Sequence, residues 1–287
     1  MVLFAALIAG SFSLGRMALP YIEPVPLNAI RFIFAALIMG VIAFGLRREP
    51  VAVPQAPWRF LITGGLMAFY FVSMFIALTM TSPVATSAVF TLTPILTAFF
   101  GYFIVKQRLT GLMAISLLFA GLGSIWVIFR GDVNAILGFD IGQGELIYFA
   151  GCAAHAVYTP LLRRFNRGEP LVVLTLFNVA ATAVWITIAA LPDLMQIDFA
   201  ALPPVVWLVL LYLAIFPTAT TFFLVQFASV TLPASKVMAY GYLVPVFVIV
   251  YEGLLGNGWV SVSVLAGALV TVLGLAVLYF AHDKRSG

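Results

Sequence analysis

The chain has 287 residues, of which 64% are hydrophobic and 8% charged, against about 25% charged in soluble domains. That excludes a soluble globular domain and implies a protein that crosses a membrane several times. The net charge of +4 implies no nucleic-acid partner, because the basic residues segregate along the chain, and the single Cys152 excludes an internal disulfide or a cysteine-based metal cluster.

No basic segment precedes the apolar start at Val2 and no Ala-x-Ala site follows it, so the first stretch reads as a retained span. A span needs about 20 apolar residues. That ruler predicts ten: 2–19, 27–46, 58–79, 84–105, 110–129, 143–162, 170–191, 204–228, 234–252 and 259–280. Two boundaries carry no charge signal. Phe60–Val105 has no charged residue and would be about 69 Å long as one helix, so it must turn, and Thr81-Ser82-Pro83 is the breaker near its middle. Pro204–Phe280 contains only Lys236 and Glu252 and must turn twice, at Thr231–Pro233 and Gly253–Gly258.

Ten spans put both termini on one side. Arg47, Arg48, Arg59, Lys106, Arg108, Arg163, Arg164, Arg167, Lys284 and Arg285 fall on that side, Arg16 and Arg130 opposite, and Arg31 and Lys236 within spans. This bias predicts cytoplasmic termini. Glu23, Asp132, Asp140, Asp193 and Asp198 fall on the outer side.

The chain also repeats itself. Thr81/Thr231 and Pro83/Pro233 are each 150 positions apart, and Pro94/Pro245, Gly123/Gly274 and Phe129/Phe280 are each 151 apart. A register kept this long argues for two copies of one unit, 1–139 and 140–287. Five spans is an odd number, so the second copy enters with opposite orientation, an inverted repeat. Toward the front the match is weaker: Pro26-Leu27 and Pro170-Leu171 agree at an offset of 144, which pairs Ser11 with His155. The expected fold is an all-α integral membrane protein of ten transmembrane helices in two inverted five-helix repeats.

Each candidate site residue carries two readings. Pro94 and Pro245 fall near the middle of the fourth and ninth spans, where a proline removes a backbone bond and bends the helix; they are static kinks or, as a symmetric pair, hinges beside a central site. His155 lies mid-membrane with Tyr158 on the same face, either as a bonded neutral imidazole or as a substrate or proton contact. Lys236 either snorkels to the interface or faces the cavity, and Arg31 shares the ambiguity. Tyr70, Phe90, Thr91, Thr93, Tyr240 and Tyr242 cluster at mid-depth; a tyrosine hydroxyl in hydrocarbon needs a partner, and Tyr240 and Tyr242 cannot share a helix face. Small residues every fourth position, Ser116, Ala120, Ser124 and Ser263, Gly267, Thr271, predict close helix packing. There is no His-x-x-x-His, nucleophile elbow, phosphate loop or acid pair at membrane depth, so no catalytic residue, metal or cofactor is assigned.

ATSAVFTLTPILTAFFGYFIVKQRLTG and PASKVMAYGYLVPVFVIVYEGLLGN resemble the EamA repeat of the drug/metabolite transporter superfamily. That repeat runs from a proline through an apolar stretch to Gly-Glu-Arg-Leu-Thr. Here Gln107 stands for the glutamate in the first copy and Gly256-Asn257-Gly258 replaces the motif in the second. The resemblance implies a ten-helix basket whose cavity is lined by helices one, three, four, six, eight and nine. Within the superfamily the aromatic-rich, acid-poor candidates look most like the YddG-type exporters of aromatic amino acids. The expected function is a secondary transporter exporting small metabolites, amino acids first among them, across a bacterial inner membrane by alternating access. An integral membrane enzyme acting on a lipid carrier is the alternative, and a channel is a third. The expected partners are a small-molecule substrate and the lipid bilayer, with a coupling proton and the oligomeric state left open.

Overall fold

The computed structural model describes residues 1–45, 54–107, 110–138 and 141–280. The expected repeat boundary at 139/140, and Arg47, Arg48, Arg108, Asp140, Lys284 and Arg285, lie outside the described residues.

Those residues form α1 (Val2–Arg16), α2 (Pro24–Gly45), α3 (Trp58–Met80), α4 (Pro83–Phe90), α5 (Thr93–Val105), α6 (Gly111–Ile128), α7 (Val133–Leu137), α8 (Gln143–Phe165) and α9 (Leu171–Leu194). They continue through α10 (Pro204–Ala214), a π-helical segment (Ile215–Thr220), α11 (Thr221–Thr231), α12 (Ala234–Ala239), a 3₁₀ segment (Tyr240–Leu243), α13 (Val244–Leu254) and α14 (Val262–Phe280). No strand occurs among the described residues.

Among the described residues seven segments are long and apolar enough to cross a membrane: Pro24–Gly45, Trp58–Met80, Pro83–Val105, Gly111–Ile128, Leu171–Leu194, Pro204–Val230 and Lys236–Leu254. The molecule is a multi-pass helical membrane protein. The other three expected spans coincide with helices of a different kind. α1 has 15 residues, about 22 Å, short of a hydrocarbon core of about 30 Å. In α14 the apolar helix is also short, Val262–Val277. α8 is long enough at 23 residues, but it carries Glu145, His155, Arg163 and Arg164.

Local chemistry sets the boundaries. Ser82 caps α4 by accepting from the Ala85 amide at 3.2 Å, with Pro83 opening the helix, where its missing N–H costs nothing. Thr81 donates from Oγ1 to Glu145 Oε1 at 2.6 Å, tying this turn to the start of α8. Thr110 caps α6 and Asp132 caps α7.

The two proline-containing spans are interrupted rather than bent. The fourth breaks at Thr91–Leu92 and the ninth passes through the 3₁₀ segment. Pro94 and Pro245 then sit within the first two positions of the second half-helix, where proline fits. The interruption lies one turn earlier because a proline ring clashes with the carbonyl four residues back, at Phe90 and Gly241.

α3 packs along α8, α2 along α9 and α6 along α14. The small-residue rows expected at α6 and α14 meet each other within the chain, and they do so reciprocally. A Cβ on Gly123 would stand 2.7 Å from Gly267 O and Thr271 Oγ1, and one on Gly274 would stand 2.9 Å from Ser116 O and 2.8 Å from Ala120 Cβ. Gly123/Gly274, Ser116/Gly267 and Ala120/Thr271 are each 151 positions apart, so each contact is the counterpart of the other. Only backbones without side chains between them approach this closely.

Candidate functional site

α8 carries His155 and Tyr158 one turn apart, α3 carries Tyr70 and α4 ends at Phe90. Packing of α3 and α4 onto α8 brings these four expected residues together. The His155 ring lies 4.6 Å from Tyr70, 5.9 Å from Phe90 and 5.9 Å from Tyr158 between centroids. Phe12 of α1 closes the group from one side and Phe222 of α11 from another. Tyr70 finds its polar partner in Tyr148, whose hydroxyl donates to the Tyr70 hydroxyl at 3.0 Å. Tyr148 escaped the sequence reading, although it sits two helical turns before His155 on the same face. His155 is 3% exposed, and its Nδ1 and the Tyr158 hydroxyl have no hydrogen-bond partner. A void of about 10 Å³ lies beside them, bounded by Phe71, Phe222 and Thr221, room for about one water.

Arg31 is the second feature at depth. Expected near the outer end of its span with an open role, it is fully buried. Its guanidinium lies 4.4 Å from the Phe71 ring centroid. Nε donates to Thr218 Oγ1 at 2.7 Å, and Nη2 donates to Pro217 O at 3.2 Å and Ser11 Oγ at 3.4 Å. No carboxylate pairs with it among the described residues. Two of these three acceptors come from the π-helical segment, and Pro217 accounts for that irregularity. Proline has no N–H for the Leu213 carbonyl, which accepts instead from Thr218 Oγ1 at 2.7 Å.

The remaining expected site residues lie elsewhere. Thr91 donates to Ser124 Oγ and so faces α6. Tyr242 packs with Ala98, Met113, Leu117 and Ala120, its hydroxyl unpartnered. Tyr240 is half-buried against the main core and has no ring contact with the His155 group. Lys236 is half-buried on α12, which packs against α5, α8 and α11.

At the end of the molecule where α1 and α13 finish and α4 begins, a cavity of about 710 Å³ opens. Ser13, Arg16, Ser82, Arg130, Glu252 and Asn257 supply its polar wall, and Met17, Val127, Trp259 and Val264 part of its apolar wall. At the opposite end Arg59, Phe165, Asn178 and Gln226 line a void of about 10 Å³, and Arg59 binds Glu169 and the Phe165 carbonyl there. Burial raises the Glu169 carboxyl's pKa, but the hydrogen bonds from Arg59 and the Arg167 amide outweigh it, so the pKa lies below the ordinary range. Among the described residues no group of three His, Cys, Asp or Glu could hold a metal ion.

Apolar helices, two interrupted spans, a packed aromatic centre and a cavity at one end define a multi-pass membrane protein. The chain belongs to the EamA-like transporter family, which matches residues 1–129 and 142–280. It is 27% identical over 276 residues to an uncharacterized transporter, YyaM, of Bacillus subtilis (strain 168), covering 95% of this chain and 90% of that protein. A solved structure described only as a crystal structure of a protein shares the fold, with a TM-score of 0.74 at 21% identity, over 99% of this chain and 97% of that one.

Proposed function

We propose that the protein is a secondary transporter that exports small metabolites, amino acids first among them, across a bacterial inner membrane by alternating access. The observation that carries this reading is the asymmetry along the molecule: a cavity of about 710 Å³ at one end, and voids of about 10 Å³ at the centre and the other end. A carrier caught open to one face has this form, and substrate moves it only by binding the two states with different affinity. α1, α8 and α14 also cross in this reading, giving ten spans in two inverted repeats, 1–139 and 140–287. The reciprocal contacts of Gly123 and Gly274 support it, because a pseudo-two-fold axis generates such pairs. Both termini then lie in the cytoplasm and the open cavity faces outward. His155, Tyr158, Tyr70 and Phe90 are the substrate contacts at mid-depth, reached when the aromatic group parts.

Single cysteines at Lys106 or Arg163 and at Asp132 or Asp193, on a Cys152→Ala background, should label from opposite sides of the membrane. Labelling from the same side would end the ten-span topology. Counterflow of labelled amino acids in proteoliposomes tests the substrate class, and absence of counterflow across the twenty would remove it.

A further inference from the structure

We infer that the outer cavity is itself a recognition site for zwitterionic amino acids, with Glu252 and Ser13 taking the ammonium group and Arg16 and Arg130 the carboxylate. This rests on the transport reading and names the site at which the open state receives its ligand.

Three observations carry it. The first is a pair of unpartnered oxygens in one wall, both able to accept. Glu252 is 7% exposed, and its carboxylate receives a single side-chain hydrogen bond, from Asn257 Nδ2 to Oε2 at 3.0 Å. Its Oε1 has no partner, and neither has the hydroxyl of Ser13, which is 2% exposed. Both residues line the same cavity, on α13 and α1, which pack together. A buried carboxylate oxygen without a partner is costly. An ammonium group brings three donors and a compensating charge, and carries no acceptor. Two acceptors on a wall that needs donors fit it.

The second observation is that the opposite charges in the cavity stay apart. Arg16 and Arg130 are exposed residues of the lining, and no ion pair joins either to Glu252 among the described residues. Charges of both signs that do not close on one another are arranged for a ligand that carries both, and arginine suits the planar carboxylate. Size is the third. About 710 Å³ lies within the usual range for small-molecule sites, about 300–1,000 Å³, and Trp259, Met17 and Val264 offer apolar surface to a side chain.

The test uses the full chain, purified and reconstituted, with phenylalanine, phenethylamine and 3-phenylpropionate as probes, and measures equilibrium binding separately from flux. Glu252→Gln should weaken phenylalanine and phenethylamine at least tenfold and leave 3-phenylpropionate within twofold. Arg16→Gln combined with Arg130→Gln should do the reverse, weakening phenylalanine and 3-phenylpropionate and sparing the amine. Glu252→Asp, which keeps the charge, should recover part of the amine affinity, separating recognition from damage to α13. Equal responses of all three probes to Glu252→Gln would overturn the site, as would failure of the wild-type protein to bind phenylalanine or any other amino acid. Flux that persists unchanged in both variants would overturn the site and leave the transport reading standing. Binding with the expected pattern and no flux would do the opposite.

Discussion

Phe90 fills the space that a side chain on Gly241 would need: a Cβ there would stand 2.9 Å from Phe90 Cε1. The two positions are 151 apart, the same offset as Pro94 and Pro245, and each lies four residues before its proline. The breaks in the two interrupted spans therefore touch. The Phe90 ring has little room to yield, because Phe12, Tyr70 and His155 surround it. A side chain at Gly241 must push the aromatic group itself. Gly241→Val should destabilise the protein by about 1–3 kcal/mol, the usual cost of overpacking, and depress transport. Phe90→Leu in the same chain should recover part of both, read as thermal unfolding in detergent and as counterflow. Additive losses would mean that the two breaks are not mechanically joined.

The prolines make a separate prediction. In the second position of a half-helix they cost nothing locally, so Pro94→Ala and Pro245→Ala should fold with little change in thermal stability. What alanine permits is a continuous helix through the break, which favours whichever access state has the straighter span. Accessibility of a cysteine placed at Ser13 should then shift in opposite directions for the two variants, since the breaks belong to opposite repeats. Unchanged accessibility in both would make them static.

Much of this was legible in the chain. Thr81-Ser82-Pro83, Thr231–Pro233 and Gly253–Gly258 interrupt the helices because glycine and proline act locally, whatever surrounds them. The small-residue rows found each other because backbone approach depends on side-chain size alone. What the sequence hid was rotation. In a chain this apolar, helices are hydrophobic on every face, so periodicity does not say which side points inward. Arg31 and Lys236 look alike as lone cations in spans, yet one is fully buried and the other half-exposed. Tyr242 was placed with Phe90 by depth, and helix rotation carries it to Met113 and Ala120 instead. Depth set Thr91 beside Tyr70 and Phe90 as well, yet its hydroxyl turns to Ser124 on α6.

Arg31 should tolerate an apolar replacement better than a charged one. Its hydrogen bonds to Thr218, Pro217 and Ser11 need a planar fork. Lysine keeps the buried charge and loses the fork, while methionine removes the charge that has no carboxylate to balance it. Arg31→Lys should therefore unfold at a lower temperature than Arg31→Met. The opposite order would show that the positive charge itself is held favourably.

Glu169, in the connection between α8 and α9, pairs with Arg59 at the start of α3 and gives stability a pH dependence of known sign. The folded-state pKa of Glu169 lies below the ordinary value, about 4.3 for an unperturbed glutamate. Its contribution is present above that value and is lost as pH falls through the folded-state pKa. Glu169→Gln should lower the unfolding temperature at pH 7, and the difference from wild type should close as pH falls through the depressed folded-state pKa. A difference that persists unchanged into acid would show that the charge of Glu169 is not what stabilises this end.

The last prediction separates packing from recognition at His155. Aromatic rings stand around the imidazole at 4.6 to 5.9 Å, so a flat ring is what the space requires. His155→Phe supplies one and removes both nitrogens, including the unpartnered Nδ1. His155→Ala removes the ring as well and leaves a cavity, at about 2–5 kcal/mol for a large buried side chain. If His155 only packs, the Phe variant should keep its unfolding temperature within a few degrees and keep transport. If the imidazole meets the substrate or relays a proton when the aromatic group parts, the Phe variant should fold and lose at least tenfold in amino acid counterflow. Lys236→Met is the matched comparison: Lys236 could face the cavity or snorkel by sequence alone, and it lines none of the three cavities described above. Its replacement should change counterflow less than twofold. A large loss at Lys236 with none at His155 would move the recognition site from the aromatic centre to α12.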